Sequence, residues 1–409
     1  MRREILMYID PGTGAMLFTV IMGIVTTLLF SVQKLVLKVK FALSGGKSSL
    51  KDMDKMGVVI FSDSKRYWNV FKPICDEFEQ RKEKCYYWTA SPDDPALTET
   101  YKYIKCEFIG EGNKAFARLN MMKADICLST TPGLDVYQWK RSENVRFYVH
   151  IPHEVGEMTG YRMFGIDYYD AVLLTGEFQE RDIRILESVR KLRPKEMIVV
   201  GSTYMDAMKK KVEQSKTEQG KITVLVAPSW GESSILNRYG QNFLQKLKET
   251  GFDIIVRPHP QSKIADPELL EHLQKEFPNG DKWNWNYDND NFDVLSKSSI
   301  LISDFSGVIF DFALVFDKPI IYADTHLDRA PYDSCWLDEE PWRLQILPTI
   351  GKQLKDTDFN NLRKIILDVL DTDTYSEGRE QAKRIAWKYQ GEAAQKVVDY
   401  LENKQKSIV

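Results

Sequence analysis

Ser299-Ile-Leu-Ile-Ser-Asp-Phe-Ser-Gly-Val-Ile-Phe-Asp-Phe-Ala-Leu-Val-Phe-Asp-Lys-Pro-Ile320 reads as one βαβ unit. The apolar run Ser299–Ser303 has the length of a buried strand. The polar turn Asp304-Phe-Ser-Gly307 ends it, and a helical stretch follows at once. That helix stops before Asp317-Lys-Pro319, and a second strand, Pro319–Ala323, completes the unit. Two neighbouring strands joined through a helix run parallel. Small polar residues stand where the helix begins, and unpaired N–H groups and the helix dipole there favour a phosphate.

The same alternation extends outward in both directions. In the C-terminal half, strands are expected at Ile222–Ala227 and Asp253–Arg257, with helices at Gln241–Thr250, Pro267–Phe277, Asp358–Leu370 and Ser376–Lys404. In the N-terminal half, strands are expected at Gly57–Ser62, Lys84–Thr89, Lys105–Ile109, Asp125–Ser129, Val145–His150 and Asp170–Thr175, and Met197–Gly201 ends the region. Helices at Tyr67–Lys82, Asn113–Met122 and Glu177–Leu192 lie between them. The charged, uneven stretch Lys209–Lys221 separates the two series. The pattern predicts an α/β protein with two Rossmann-like, doubly wound domains facing a cleft, residues 57–207 and 208–375. Residues 376–409 form a last helix that returns to the first domain. Ligands bind such sheets at the carboxyl ends of the strands.

Residues 1–56 break this pattern. Pro11–Gln33 holds no charged residue, and Met16–Phe30 is almost continuously apolar. A bilayer span needs roughly 20 such residues. Lys34, Lys38, Lys40, Lys47 and Lys51 follow it, and a lysine excess marks the cytoplasmic side. The expectation is a single-pass N-terminal transmembrane helix and basic linker, holding the catalytic domains in the cytoplasm at the cell membrane. The whole chain of 409 residues is 43% hydrophobic with a net charge of −3, which gives no support for nucleic-acid binding. Its five cysteines are scattered, without a CxxC pair, and read as reduced core thiols.

Three places combine strand ends with chemistry. Arg257-Pro-His-Pro260 ends a strand, and residues at i and i+2 of an extended chain point the same way. Arg257 and His259 are therefore expected to engage one anion. His150 and His153 stand in Tyr148-Val-His-Ile-Pro-His-Glu-Val-Gly156, just past another strand. The turn Ala227-Pro-Ser-Trp-Gly231 offers small residues for close backbone approach, at Ser229 and Gly231, and a ring, Trp230, to cover a ligand. Together with Ser303, Asp304, Ser306 and Gly307 these residues point to a phosphorylated or nucleotide-linked substrate. No glycine-rich P-loop, GxGxxG or GxSxG occurs, which argues against ATP hydrolysis, dinucleotide redox chemistry and serine hydrolysis. No metal site is expected from the histidines. Asp288, Asp290 and Asp293 are a weak candidate for a divalent cation and read more simply as a helix cap and solvated loop.

In order along the chain stand Ala-Pro-Ser-Trp (227–230), Arg-Pro-His-Pro (257–260), Ser-Asp-Phe-Ser-Gly-Val-Ile-Phe-Asp-Phe (303–312) and Lys-Pro-Ile-Ile-Tyr (318–322). This ordered set resembles the CDP-glycerol glycerophosphotransferase family, which includes the teichoic acid polymerases and primases. Gly201-Ser-Thr-Tyr-Met-Asp206 is similar to that family's Gly-x-Pro-x-x-Asp stretch. The resemblance implies a GT-B fold and transfer of glycerol phosphate from a CDP-linked donor to a hydroxyl of a lipid-linked cell-envelope acceptor, with CMP released. It implies that Arg257 and His259 act at the pyrophosphate and that Ser303, Asp304, Ser306 and Gly307 help bind it. It also implies a catalytic base in the first domain, His153 or His150. The chain departs from the family pattern in four places. His-Ile-Pro-His-Glu replaces His-Gly-Thr, Phe305 replaces a tyrosine, Gly307 a second serine, and Gly231 a residue that is often basic. Alternative expectations are a GT-B glycosyltransferase using a UDP- or GDP-sugar, a nucleotide-sugar epimerase, and a non-catalytic nucleotide-binding scaffold.

Overall fold

The computed structural model describes residues 55–215 and 220–408. The expected membrane segment lies outside them. Among the described residues, no helix is long and apolar enough to cross a membrane.

Two all-parallel sheets form the frame. The first contains β1 (Met56–Ser62), β2 (Cys85–Thr89), β3 (Ile104–Phe108), β4 (Ala124–Ser129), β5 (Val145–His150), β6 (Ala171–Leu174) and β7 (Glu196–Val199). Their order is β3-β2-β1-β4-β5-β6-β7. The second contains β8 (Thr223–Val226), β9 (Asp253–Val256), β10 (Trp283–Trp285), β11 (Ile300–Ser303), β12 (Ile320–Ala323) and β13 (Gly351–Leu354), in the order β10-β9-β8-β11-β12-β13. Both are doubly wound. The order in which successive strands are added reverses between β1 and β4 in one and between β8 and β11 in the other, and such a switch point opens a crevice at the strand ends. The central strands are buried on both faces, which is why they read as unbroken apolar runs rather than alternating ones.

The last helix, Ala393–Ile408, packs Val397, Val398 and Leu401 into the core of the first sheet beside Phe71, Ile74 and Phe78 of the helix Trp68–Arg81. The helix before it, Ser376–Ala386, belongs to the second core with Ala382, Ala386 and Trp387. The expected single helix over Ser376–Lys404 is therefore two helices. The chain breaks where Tyr389 (φ 51°) and Gly391 (φ 82°) turn left-handed. Asp206 receives the Trp387 indole N–H at 2.8 Å and the Ala393 N–H at 3.1 Å, fixing the crossing.

Other readings shift in detail. Lys209–Gln214 continue the helix Thr203–Gln214 instead of leaving it, and residues 216–219 lie outside the description. The helix after Gly307 has only three α-helical residues, Val308–Phe310, and widens into a π-helical segment, Asp311–Val315. The N–H groups at its start are the anion-attracting feature of the turn. Edge strands β10 and β13 and the helix Trp342–Ile350 have no periodic signal in the sequence. The cysteines are all free, with Cys75, Cys85 and Cys127 buried, but Cys335 is exposed and not a core thiol.

Candidate active site

The strand ends of both sheets meet at one cleft of about 490 Å³. Arg66 and Tyr67 enter it after β1, His153 and Glu154 after β5, Ser229 and Trp230 after β8, Arg257 and His259 after β9, and Ser306 and Gly307 after β11. Groups as far apart in sequence as Arg66 and Gly307 thus converge because each follows a strand near its sheet's switch point.

Seven of the sequence-expected residues line this space: His153, Ser229, Trp230, Arg257, His259, Ser306 and Gly307. Four do not. His150, the last residue of β5, is wholly buried. Its Nε2 lies 3.1 Å from the Tyr161 hydroxyl, and its ring packs on Tyr161 and Tyr169. Burial, with a smaller contribution from His153, pushes its pKa down to about 3, so it is a neutral core residue. Ser303 spends its hydroxyl on the Ala227 carbonyl at 2.6 Å, tying β11 to the turn after β8. Asp304 is buried and accepts N–H bonds from Ser229 (2.9 Å), Ile235 (3.0 Å) and Phe305 (2.7 Å). These bonds make it a brace that shapes both turns. Gly231 turns away, its N–H directed at Asp266.

His259 has a defined tautomer. Its Nδ1 accepts the Gln261 backbone N–H at 3.1 Å, so the ring hydrogen sits on Nε2. Burial pulls its pKa down to about 4 against an opposing pull from Glu154. The imidazole is neutral at physiological pH and presents one N–H donor. Trp230 lies beside it, ring centroids 6.4 Å apart, and Arg162 reaches over Trp230 from the first domain at 5.9 Å. Arg257 departs from expectation in its bonding. It donates to the Asn286 side chain and, at 2.7 Å, to the Asp288 carbonyl. Much of the guanidinium is committed to holding the loop that presents Asn289, Asp290 and Asn291 to the cleft.

His153 faces His259 across the cleft. Its Nδ1 is 3.2 Å from the Thr130 hydroxyl and its ring lies against Tyr67 at 4.8 Å. Burial lowers its pKa, and Glu154 and Asp63 partly restore it. For Nε2 to accept a proton, Nδ1 must carry the ring hydrogen and donate it to Thr130.

Sequence reasoning passed over three further groups. Arg343 joins the two halves of the site. It bonds Glu157 through Nε (2.5 Å) and its own N–H (3.0 Å), Glu154 through Nη2 (2.8 Å), and the Phe305 carbonyl through Nη1 (3.2 Å). Burial raises the Glu154 carboxyl, but Arg343 and His153 outweigh it and hold it below the ordinary range. Asp311, in the π-helical segment, meets the Tyr204 hydroxyl at 3.2 Å and Asn291 at 3.4 Å. Burial, aided by Glu154, pushes it up to about 8, so it is largely protonated at neutral pH. Asp311 stood inside the quoted 303–312 stretch, and that was its only signal. Arg343 stands in Pro341-Trp-Arg-Leu344, which has none. Among the described residues, no cluster of three or more His, Cys, Asp or Glu side chains is arranged to hold a metal ion. Asp290 pairs with Lys211 at 2.9 Å and caps the Phe292 N–H at 2.9 Å.

This fold recurs in solved structures. The wall teichoic acid polymerase TagF superposes with a TM-score of 0.54 at 16% identity, over 86% of this chain and 90% of that one. A putative UDP-N-acetylglucosamine 2-epimerase from Listeria monocytogenes gives 0.56 at 15%, over 87% and 98%. S. aureus MnaA with UDP gives 0.56 at 14%, over 87% and 98%. At these identities the likeness is one of fold. No curated protein matches the sequence. The profile of the CDP-glycerol:poly(glycerophosphate) glycerophosphotransferases matches residues 168–403, more than half of the chain. It spans every strand of the second sheet together with Arg257, His259, the 303–307 turn and Arg343. The chain therefore belongs to the CDP-glycerol:poly(glycerophosphate) glycerophosphotransferase family and is a CDP-glycerol glycerophosphotransferase-like enzyme.

Proposed function

We propose that this enzyme moves glycerol phosphate from CDP-glycerol to a hydroxyl of a lipid-linked cell-envelope acceptor, at the cytoplasmic face of the cell membrane. The acceptor hydroxyl gives its proton to His153 Nε2 as its oxygen attacks the distal phosphorus. The bond from that phosphorus to the CMP oxygen breaks, and CMP leaves. His259 Nε2–H donates to a phosphate oxygen, and the backbone N–H groups of the 306–308 turn supply further donors. A positioned base typically contributes 10²–10⁴-fold and one anion-stabilising donor about 10²–10³-fold. The observation that carries the reading is that His153, His259 and the Ser306-Gly307 turn, from separate parts of the chain, line one cleft. The TagF crystals that took up CDP-glycerol share this fold and lend support to the donor.

The apolar segment at 16–30 would hold the cleft beside a lipid-linked acceptor and raise its effective concentration. Membranes carrying the protein, given a panel of labelled CDP- and UDP-linked donors, test the donor. The expected product is CMP, released from CDP-glycerol only when an acceptor is present. Release of UMP or UDP instead would reject it.

A further inference from the structure

Two of the chain's departures from its family pattern touch each other. Gly307 stands in place of a serine, and Glu154 lies in the segment that replaces His-Gly-Thr. A Cβ built on Gly307 would overlap Glu154 Oε2, with Glu154 Cδ also inside contact distance. The φ of Gly307 is −57°, a value any residue adopts, so the glycine is not needed for backbone freedom. It is needed for space. The Glu154 carboxylate fills the volume that a serine side chain at 307 would take.

The carboxylate is held, not adrift. Arg343 Nη2 bonds its Oε1 at 2.8 Å, and Arg343 is itself fixed by Glu157 and the Phe305 carbonyl. Its Oε2 has no hydrogen-bond donor among the described residues, although the side chain lines the cleft and is one-third exposed. An ionised carboxylate is an acceptor only. It repels phosphate at close range and binds a hydroxyl or an ammonium group. Beside the 306–307 turn, where the reading above puts the diphosphate, it faces whatever is esterified to the distal phosphorus.

We propose that Glu154 determines specificity for the transferred group, its Oε2 accepting a hydrogen bond from a hydroxyl of the polyol on the donor's distal phosphate, in space that only glycine at 307 leaves open. This rests on the proposed donor class. The base and the groups that stabilise the phosphate remain those named above.

The test compares CDP-glycerol with the propyl ester of CDP, which has the same charge and no hydroxyl on the transferred group. Binding of both is measured by calorimetry to full-length wild-type protein, Glu154→Gln and Gly307→Ala. Glutamine is nearly isosteric, and Arg343 keeps its other three bonds. Wild type should prefer CDP-glycerol. A hydrogen bond to a charged group typically contributes enough to shift affinity about tenfold. Glu154→Gln should therefore lose about tenfold of that preference, with the propyl ester bound as before. Gly307→Ala should lose it too, because the added methyl displaces the carboxylate. An unchanged preference in both variants would overturn the proposal. So would equal tightening of both ligands in Glu154→Gln, which would mean that the carboxylate merely repels the diphosphate. If wild type binds neither cytidine compound, the donor reading itself fails and this inference falls with it.

Discussion

At the scale of single residues, the histidines divide by burial. His153 and His259 reach the cleft, whereas His150 is sealed behind Tyr161 and Tyr169. His259→Ala should lower kcat by about 10²–10³-fold, the usual cost of removing one transition-state donor, in a steady-state assay of CMP release. His153→Ala should cost about 10²–10⁴-fold in the same assay. His150→Ala should instead lose about 2–4 kcal/mol of stability in denaturant unfolding, as large-to-small core changes do, with turnover per folded molecule within a few-fold of wild type. The pH dependence follows from the direction of the shifts. A base with a lowered pKa is competent above that pKa and lost as pH falls through it. Burial lowers His153, so the acid limb of kcat/KM should be centred below the ordinary histidine value of 6.5. A limb centred above 6.5 would contradict His153 as the base. The sequence named both cleft histidines, since proline and strand ends flanked them. It could not separate His150 from His153, because a side chain three residues away differs only in which side of the strand end it leaves.

Elements are where packing overrides pattern. Most interior strands were legible, since a strand buried on both faces leaves a continuous apolar run. The edge strands Trp283–Trp285 and Gly351–Leu354 were not, the first being only three residues long and the second half polar. The helix Trp342–Ile350 was hidden by Pro348 and by an apolar surround without periodicity. The return of the chain from the second core to the first also depends on a close approach. Gly201 (φ 89°) lies so near the Lys388 carbonyl that a Cβ there would overlap its oxygen. Gly201→Ala should therefore cost about 2–4 kcal/mol in denaturant unfolding, through both left-handed strain and the forced separation of residues 385–388. The resemblance to a Gly-x-Pro-x-x-Asp stretch gains a physical reason here. Gly201 admits the crossing chain, and Asp206 ties it down through Trp387 and Ala393.

For the whole molecule, the question is what holds the two sheets around one cleft. Besides Arg343, a buried cluster at the cleft rim does so. Arg190 pairs with Asp167 at 2.8 Å and Asp333 at 2.5 Å, all three side chains nearly inaccessible. Asp333 also accepts the N–H groups of Phe164 and Gly165, and the 161–163 segment bonds to residues 331–333. Arg190→Met would leave two carboxylates buried without their partner. It should cost about 3–5 kcal/mol in thermal or denaturant unfolding, and small-angle scattering should show a larger radius as the halves part. A variant as stable and compact as wild type would show that the halves are held elsewhere.

The sequence by itself determined that two parallel α/β sheets would form, and which turns would reach the cleft. Both follow from local rules, apolar run length and small polar residues at strand ends, that act within a dozen residues. Only the tertiary structure decided which named residues face the cleft and which brace it. Ser303 and Asp304 have their polar atoms drawn into backbone bonds, and His150 is turned inward. Glu154 and Arg343 are 189 residues apart and became a site only when the two sheets met. Burial and proximity between distant segments set the hydrogen bonds and pKa values there, and neither is encoded in any local pattern.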